Sequence, residues 1–195
     1  MQSTLIDTLA ARRDVPLGAT RALAVLFIAA LTAAAAQISI PLPFTVVPLT
    51  FQPMVVLLGG LALGARLGMA SQALYLAAGV AGLPVFAASA TLPPGALRLI
   101  GPTGGYLLAY PMAALLVGYL AERGLDRRYL TSVAAMLAGL VVVYACGATW
   151  LSTSLGVSGA LAAGVYPFLA ADVVKVLAAA GVLPGLWKLL GRASR

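Results

Sequence analysis

Six apolar stretches follow one another between residues 20 and 190, and few charges interrupt them. They cover residues 20–38, 51–63, 67–82, 104–121, 130–155 and 162–183, the last extending toward residue 190. A helix that crosses the hydrocarbon core of a bilayer needs about 20 such residues. A soluble domain takes about 25% of its residues from the charged types and about 45–50% from the apolar ones. Here the fractions are 9% and 62%, too few charges to make a polar surface. The expected fold is therefore an all-α membrane protein with six transmembrane helices. Helical periodicity is blurred, as it is for helices that face lipid or one another on every side.

The expected organisation is a tail over residues 1–19, one membrane domain over residues 20–190 and a second tail over residues 191–195. The first tail carries Asp7, Arg12, Arg13 and Asp14 and does not read as a cleavable signal peptide. A short amphipathic helix is expected there. Placing both termini in the cytoplasm sorts the charges. Arg12, Arg13, Arg21, Arg66, Arg123, Arg127, Arg128, Lys188, Arg192 and Arg195 then lie inside, and Arg98 alone lies in an outer connection. Lys175 falls within the sixth stretch. This positive-inside pattern requires an even number of crossings.

Several chemistries are excluded. The net charge of +7 comes from small basic groups between apolar runs, not from a basic stripe, so no nucleic-acid partner is expected. There is no histidine, and Cys146 is the one cysteine. Ser-His-Asp triads, Cys-His pairs and the usual zinc sites are thereby ruled out. No catalytic residue, metal or cofactor is expected, and the chain does not read as an enzyme. GPTGGY (residues 101–106) lacks the Gly-Lys-Ser/Thr of a phosphate-binding loop, so uphill transport would need a partner or an ion gradient.

Both outer connections are unusual. Residues 39–50 read SIPLPFTVVPLT, with three prolines and no charge, which predicts an extended segment able to fold back over the bundle. Residues 83–103 are longer and rich in turn residues, the length at which loops tend to bind or cover something.

Charge at bilayer depth is the sharpest chemical signal. Asp172 and Lys175 lie three apart on one face of the sixth stretch. Each charge costs about 2.5–3.5 kcal/mol there by insertion scales. Two readings stay open: an ion pair that orders the bundle, or a polar pocket that binds a ligand. With Arg98, the pair makes two positive charges and one negative, suited to a monoanionic solute whose carboxylate a guanidinium can grip. Phe44 and Tyr106 are placed to line such a pocket, and Trp187 beside Lys188 reads as an interfacial anchor. Ala29/Ala33 and Ala30/Ala34 are small-residue pairs that serve either bundle packing or docking of another membrane subunit.

Five motifs in order carry a family resemblance: PLPFTVVPLTFQ (41–52), LGARLG (63–68), LYLAAGVAGLPVFA (74–87), GPTGGYLLAYP (101–111) and GVYPFLAADVVK (164–175). Together they resemble the BioY family, the biotin-binding S components of energy-coupling-factor transporters. The resemblance implies the S-component fold in a bacterial or archaeal plasma membrane and high-affinity capture of biotin from outside. It implies assembly with a transmembrane T component and two ATP-hydrolysing subunits, contact with membrane lipid, and leaves a homo-oligomer open. It places biotin on Arg98, Asp172 and Lys175; Tyr106, Phe44, Gln52 and Gly104 are expected beside them. It assigns Ala29, Ala30, Ala33 and Ala34 to the T-component face. SATLPPGA (89–96) departs from the glycine-rich stretch common in the family, and with it the course of the loop that carries Arg98.

Overall fold

The computed structural model describes residues 4–13, 16–89 and 92–192. Of the two expected tails, residues 1–3, 14–15 and 193–195, including Asp14 and Arg195, lie outside the described residues. The described helices are α1 (Leu5–Arg13), α2 (Leu17–Gln37), α3 (Gln52–Leu63), α4 (Ala65–Val80), α5 (Leu97–Ile100), α6 (Gly104–Ala121), α7 (Tyr129–Gly164), α8 (Tyr166–Ala179) and α9 (Val182–Arg192). Two short strands, β1 (Ser39–Ile40) and β2 (Leu49–Thr50), pair antiparallel.

All six apolar stretches are helical, yet among the described residues four runs are both long and apolar enough to cross a membrane: α2, α6, α7 and Tyr166–Leu190. Helices α3 and α4 have 12 and 16 residues. Gly64, at φ 84°, separates them with a single residue that an L side chain would strain. The start of α4 is completed from elsewhere: the Ala65 N–H donates to Glu122 Oε1 at 2.9 Å. A carboxylate at a helix start satisfies an orphan donor and complements the helix dipole.

Two boundaries differ from expectation. The fifth stretch, expected to end at residue 155, breaks at Gly156 (φ 69°, ψ 170°) and resumes as helix to Gly164. The sixth starts at Tyr166, with a proline in its first turn, and divides near Ala180 into α8 and α9.

Helix α6 is central, lying against α3, α4 and α7. Its contacts depend on small residues. A Cβ on Gly118 would run into the Gly64 carbonyl carbon and the Ala65 nitrogen, and one on Gly60 would meet the Ala114 carbonyl. Lipid tails are as apolar as leucine, so helices in a bilayer associate through close van der Waals fit. The glycines permit that fit.

The proline-rich 39–50 segment is extended, as expected, and folds back. Its ends are zipped by the Ser39–Thr50 and Ile40–Leu49 pairs. The Thr45 hydroxyl donates to the Ala163 carbonyl at 2.6 Å, tying the segment to the far end of α7. The 83–103 connection is more ordered than its sequence suggested, since it contains α5. Trp150 Nε1 donates to the Gly101 carbonyl at 3.0 Å and holds it against α7.

The opposite end of the bundle gathers the arginines. There α1 packs through buried Leu5 and Ala10, and Asp7 pairs with Arg21 at 2.9 Å. The helix expected in the tail is thus anchored to the bundle. Trp187 is not a plain interfacial anchor. Its Nε1 donates to Asp126 Oδ2 at 2.6 Å, and the Arg127 guanidinium lies 3.4 Å over its ring, fastening α9 to the α6–α7 connection. Burial raises the Asp126 pKa, while the Trp187 hydrogen bond and the Arg127 charge oppose the rise.

Gly118→Ala should cost about 1–3 kcal/mol through overpacking against backbone atoms that cannot move aside. The check is the melting temperature of the purified protein in detergent, which should fall by several degrees. An unchanged value would show that α4 and α6 do not meet this closely.

Candidate functional site

Beneath the 39–50 segment lies a pocket with about 620 Å³ of free space, counting its mouth. Apolar side chains make most of its wall, among them Val47, Pro48, Phe86, Leu107 and Phe168. Two charged residues stand on the wall, Asp172 and Arg98.

Asp172 comes from the middle of α8 and is braced on both oxygens. Lys175 Nζ lies 2.9 Å from Oδ1, and the Tyr144 hydroxyl, from α7, donates to Oδ2 at 2.7 Å. Their side chains are 7% (Asp172) and 11% (Lys175) exposed, so the pair is largely desolvated. Lys175 does not itself line the pocket. Its ammonium also donates to the Thr50 carbonyl at 2.7 Å and lies 5.1 Å from the Phe51 ring centroid. Lys175 thus neutralises and orders the pair, and Asp172 stands on the pocket wall.

Arg98 is held differently. On the single turn of α5, it is 5% exposed. Its Nε donates to the Pro93 carbonyl at 2.8 Å, and its Nη2 to the carbonyls of Ala87 at 3.1 Å and Leu92 at 3.4 Å. Among the described residues it forms no ion pair. Burial lowers its pKa from the ordinary arginine value, yet a guanidinium keeps its charge in a protein.

The remaining expected residues divide. Gln52 lines the pocket, donating through Nε2 to the Tyr75 hydroxyl at 2.6 Å. Tyr106 lines it too, its hydroxyl donating to the Gly164 carbonyl at 2.9 Å. Phe44 is 65% exposed and sits in a separate outer cleft with Pro41, Leu42 and Leu155. Gly104 is absent from the pocket wall; a Cβ there would collide with the Leu99 carbonyl, so glycine lets α6 begin directly against α5. On α2, Ala29 is buried and Ala33 is half-buried against the core, whereas Ala30 and Ala34 are exposed.

Sequence reasoning missed Tyr144 and Thr103, both on the pocket wall. A signal existed for Tyr144: it lies deep inside an apolar run, away from the interfaces that tyrosine prefers. Nothing in the spacing marked Thr103.

An apolar helical bundle enclosing a pocket with a braced carboxylate and a carbonyl-held guanidinium that has no anion among the described residues marks a membrane-embedded solute-binding protein. Comparison with known proteins makes this specific. The family model described as the BioY family matches residues 7–192. A probable biotin transporter of Pyrococcus horikoshii is 43% identical over 157 residues, covering 80% of this chain and 89% of that protein. The biotin transporter of Thermotoga maritima is 37% identical over 161 residues, covering 82% of this chain and 91% of its own. A crystal structure of the S component for biotin from an energy-coupling-factor transporter superposes with TM-score 0.78 at 25% identity, covering 88% of this chain and 92% of that one. The chain belongs to the BioY family, and it is a multi-pass protein of a prokaryotic membrane.

The brace on Asp172 makes a prediction about stability. Lys175→Met leaves a buried carboxylate without its cation and should cost about 3–5 kcal/mol. Removing both charges, in Asp172→Asn with Lys175→Met, should restore most of the loss. Melting of the two purified variants tests this; equal melting temperatures would mean that the pair is not electrostatically coupled.

Proposed function

We propose that this protein is the biotin-binding S component of an energy-coupling-factor uptake transporter. It captures biotin from outside the cell and delivers it inward with a T component and two ATP-hydrolysing subunits. The observation that carries this reading is Arg98: a buried guanidinium held by carbonyls, without an anion of its own among the described residues, on the wall of a mostly apolar pocket. Biotin supplies what that wall lacks. Its carboxylate is a single negative charge, its ring and chain are apolar, and its ureido group both donates and accepts. The Pyrococcus horikoshii and Thermotoga maritima relatives carry the names of biotin transporters, which supports the assignment.

Biotin's carboxylate pairs with Arg98 and not with Lys175, whose ammonium is already engaged by Asp172 and Thr50. The ureido N–H groups face Asp172, which Lys175 and Tyr144 hold in place. The 39–50 segment closes the pocket through Val47 and Pro48 and excludes water.

The chain crosses the membrane six times with both termini in the cytoplasm. The 12 residues of α3 rise only about 18 Å, short of a bilayer core of about 30 Å. The 39–50 segment fills the depth that α3 leaves, since Thr50 meets Lys175 in mid-α8. Arg21, Arg66, Arg123, Arg127, Arg128 and Lys188 then face the cytoplasm. The T component docks on the outward stripe of α2, where Ala30 and Ala34 are exposed beside Leu26 and Phe27. Ala29 and Ala33 set the packing of that helix on the bundle.

Labelled-biotin binding to the purified protein tests the reading. Arg98→Gln and Asp172→Ala should each weaken binding about tenfold or more, while the protein still inserts. Biotin methyl ester should compete poorly on the wild type and lose that disadvantage on Arg98→Gln. Wild-type affinity in Arg98→Gln, or displacement of the label by another vitamin better than by biotin, would sink the assignment.

A further inference from the structure

Thr103 occupies the N-cap position of α6, a helix of 18 residues. A threonine there ordinarily turns its hydroxyl onto an N–H of the first helical turn. This one makes no capping bond. The residue is 7% exposed, its hydroxyl is buried without a hydrogen-bond partner, and it lines the same pocket as Arg98. Leaving a buried hydroxyl unmatched is costly, and such groups in native structures answer to a function or an unseen partner. The helix start adds to this. The N–H groups of Gly105 and Tyr106 fall in the first turn, where no intrahelical acceptor exists, and the dipole places partial positive charge there. The glycines of the motif are explained otherwise: a Cβ on Gly104 would meet Leu99 and one on Gly105 would meet Trp150. They set the helix start against α5 and α7, and Thr103 is left to face the ligand.

We propose that Thr103 is a specificity-determining residue that reads the carboxylate of the bound acid. Its hydroxyl donates to one carboxylate oxygen while Arg98 holds the anion, and the start of α6 supports the charge. The inference rests on the biotin reading above in taking that acid to be biotin. It explains why the hydroxyl stays uncapped. A cap would aim its oxygen at its own helix and swing the hydroxyl from the pocket, where a bond to a carboxylate is charge-assisted and one to an amide is not.

The test uses the full-length purified protein, labelled biotin, and two competitors: biotin and its uncharged amide. Thr103→Val keeps the shape and removes the hydroxyl. It should weaken biotin about tenfold and the amide less than about twofold, with melting unchanged. Thr103→Ser keeps a hydroxyl and should hold both affinities within about threefold of wild type. If valine lowers the melting temperature, Thr103→Ala carries the same comparison. Unchanged biotin affinity without the hydroxyl, or equal loss of biotin and amide in a stably folded variant, overturns the proposal. Failure of the wild type to bind biotin is a separate result, which overturns the biotin reading and this inference together.

Discussion

A carboxylate placed where water is scarce must be paired, and the pairing of Asp172 organises this molecule. Lys175 supplies the cation one helical turn away, and the same ammonium reaches the Thr50 carbonyl. Tyr144 supplies the second bond from α7. The Asp172–Lys175 pair thus draws α8, α7 and β2 just before α3 into a fixed relation. The pocket is the space they enclose. Without the brace, a single buried charge would favour distortion or water penetration. With it, the carboxylate keeps free acceptor capacity toward the cavity.

Arg98 solves the converse problem. It is a cation in a confined place, and the described residues offer it carbonyl oxygens. Carbonyls satisfy its N–H groups without neutralising its charge. The full attraction for an anion is preserved, and the orientation of the guanidinium is set before any ligand arrives. Such preorganisation lowers the ordering cost of binding. Asp172 and Arg98 are therefore complementary: one charge is neutralised so that it can act as an acceptor, and the other is solvated so that it can still act as a charge.

Much of this was legible in the residues. The apolar runs foretold a helical membrane protein, because composition alone forbids a polar surface. Asp172 and Arg98 stood out because charge is rare in such a chain. Gln52 and Tyr106 were also placed on the pocket wall, through the motifs that contain them. What was not legible depends on distance in space. Tyr144 acts through Asp172, 28 positions away, and no local pattern records that meeting. Lys175 looked like a wall residue because helical spacing shows which face it shares, not which atoms it reaches. Phe44 looked like a lining residue because an extended loop can turn either face inward. Gly104 sat in a motif for its own packing reasons. Helix lengths were harder still: α3 has 12 residues, and the segment before it is extended.

The break at Gly156 gives the far end of α7 a mechanical character of its own. Beyond it, the Ala163 carbonyl receives Thr45 from the covering segment, and the Gly164 carbonyl receives Tyr106 from the pocket wall. These eight residues, 157–164, are joined to the rest of α7 through one left-handed glycine with open space around it. Covering segment and pocket wall are thus bonded to the same eight-residue stretch, and the position of one is tied to the position of the other.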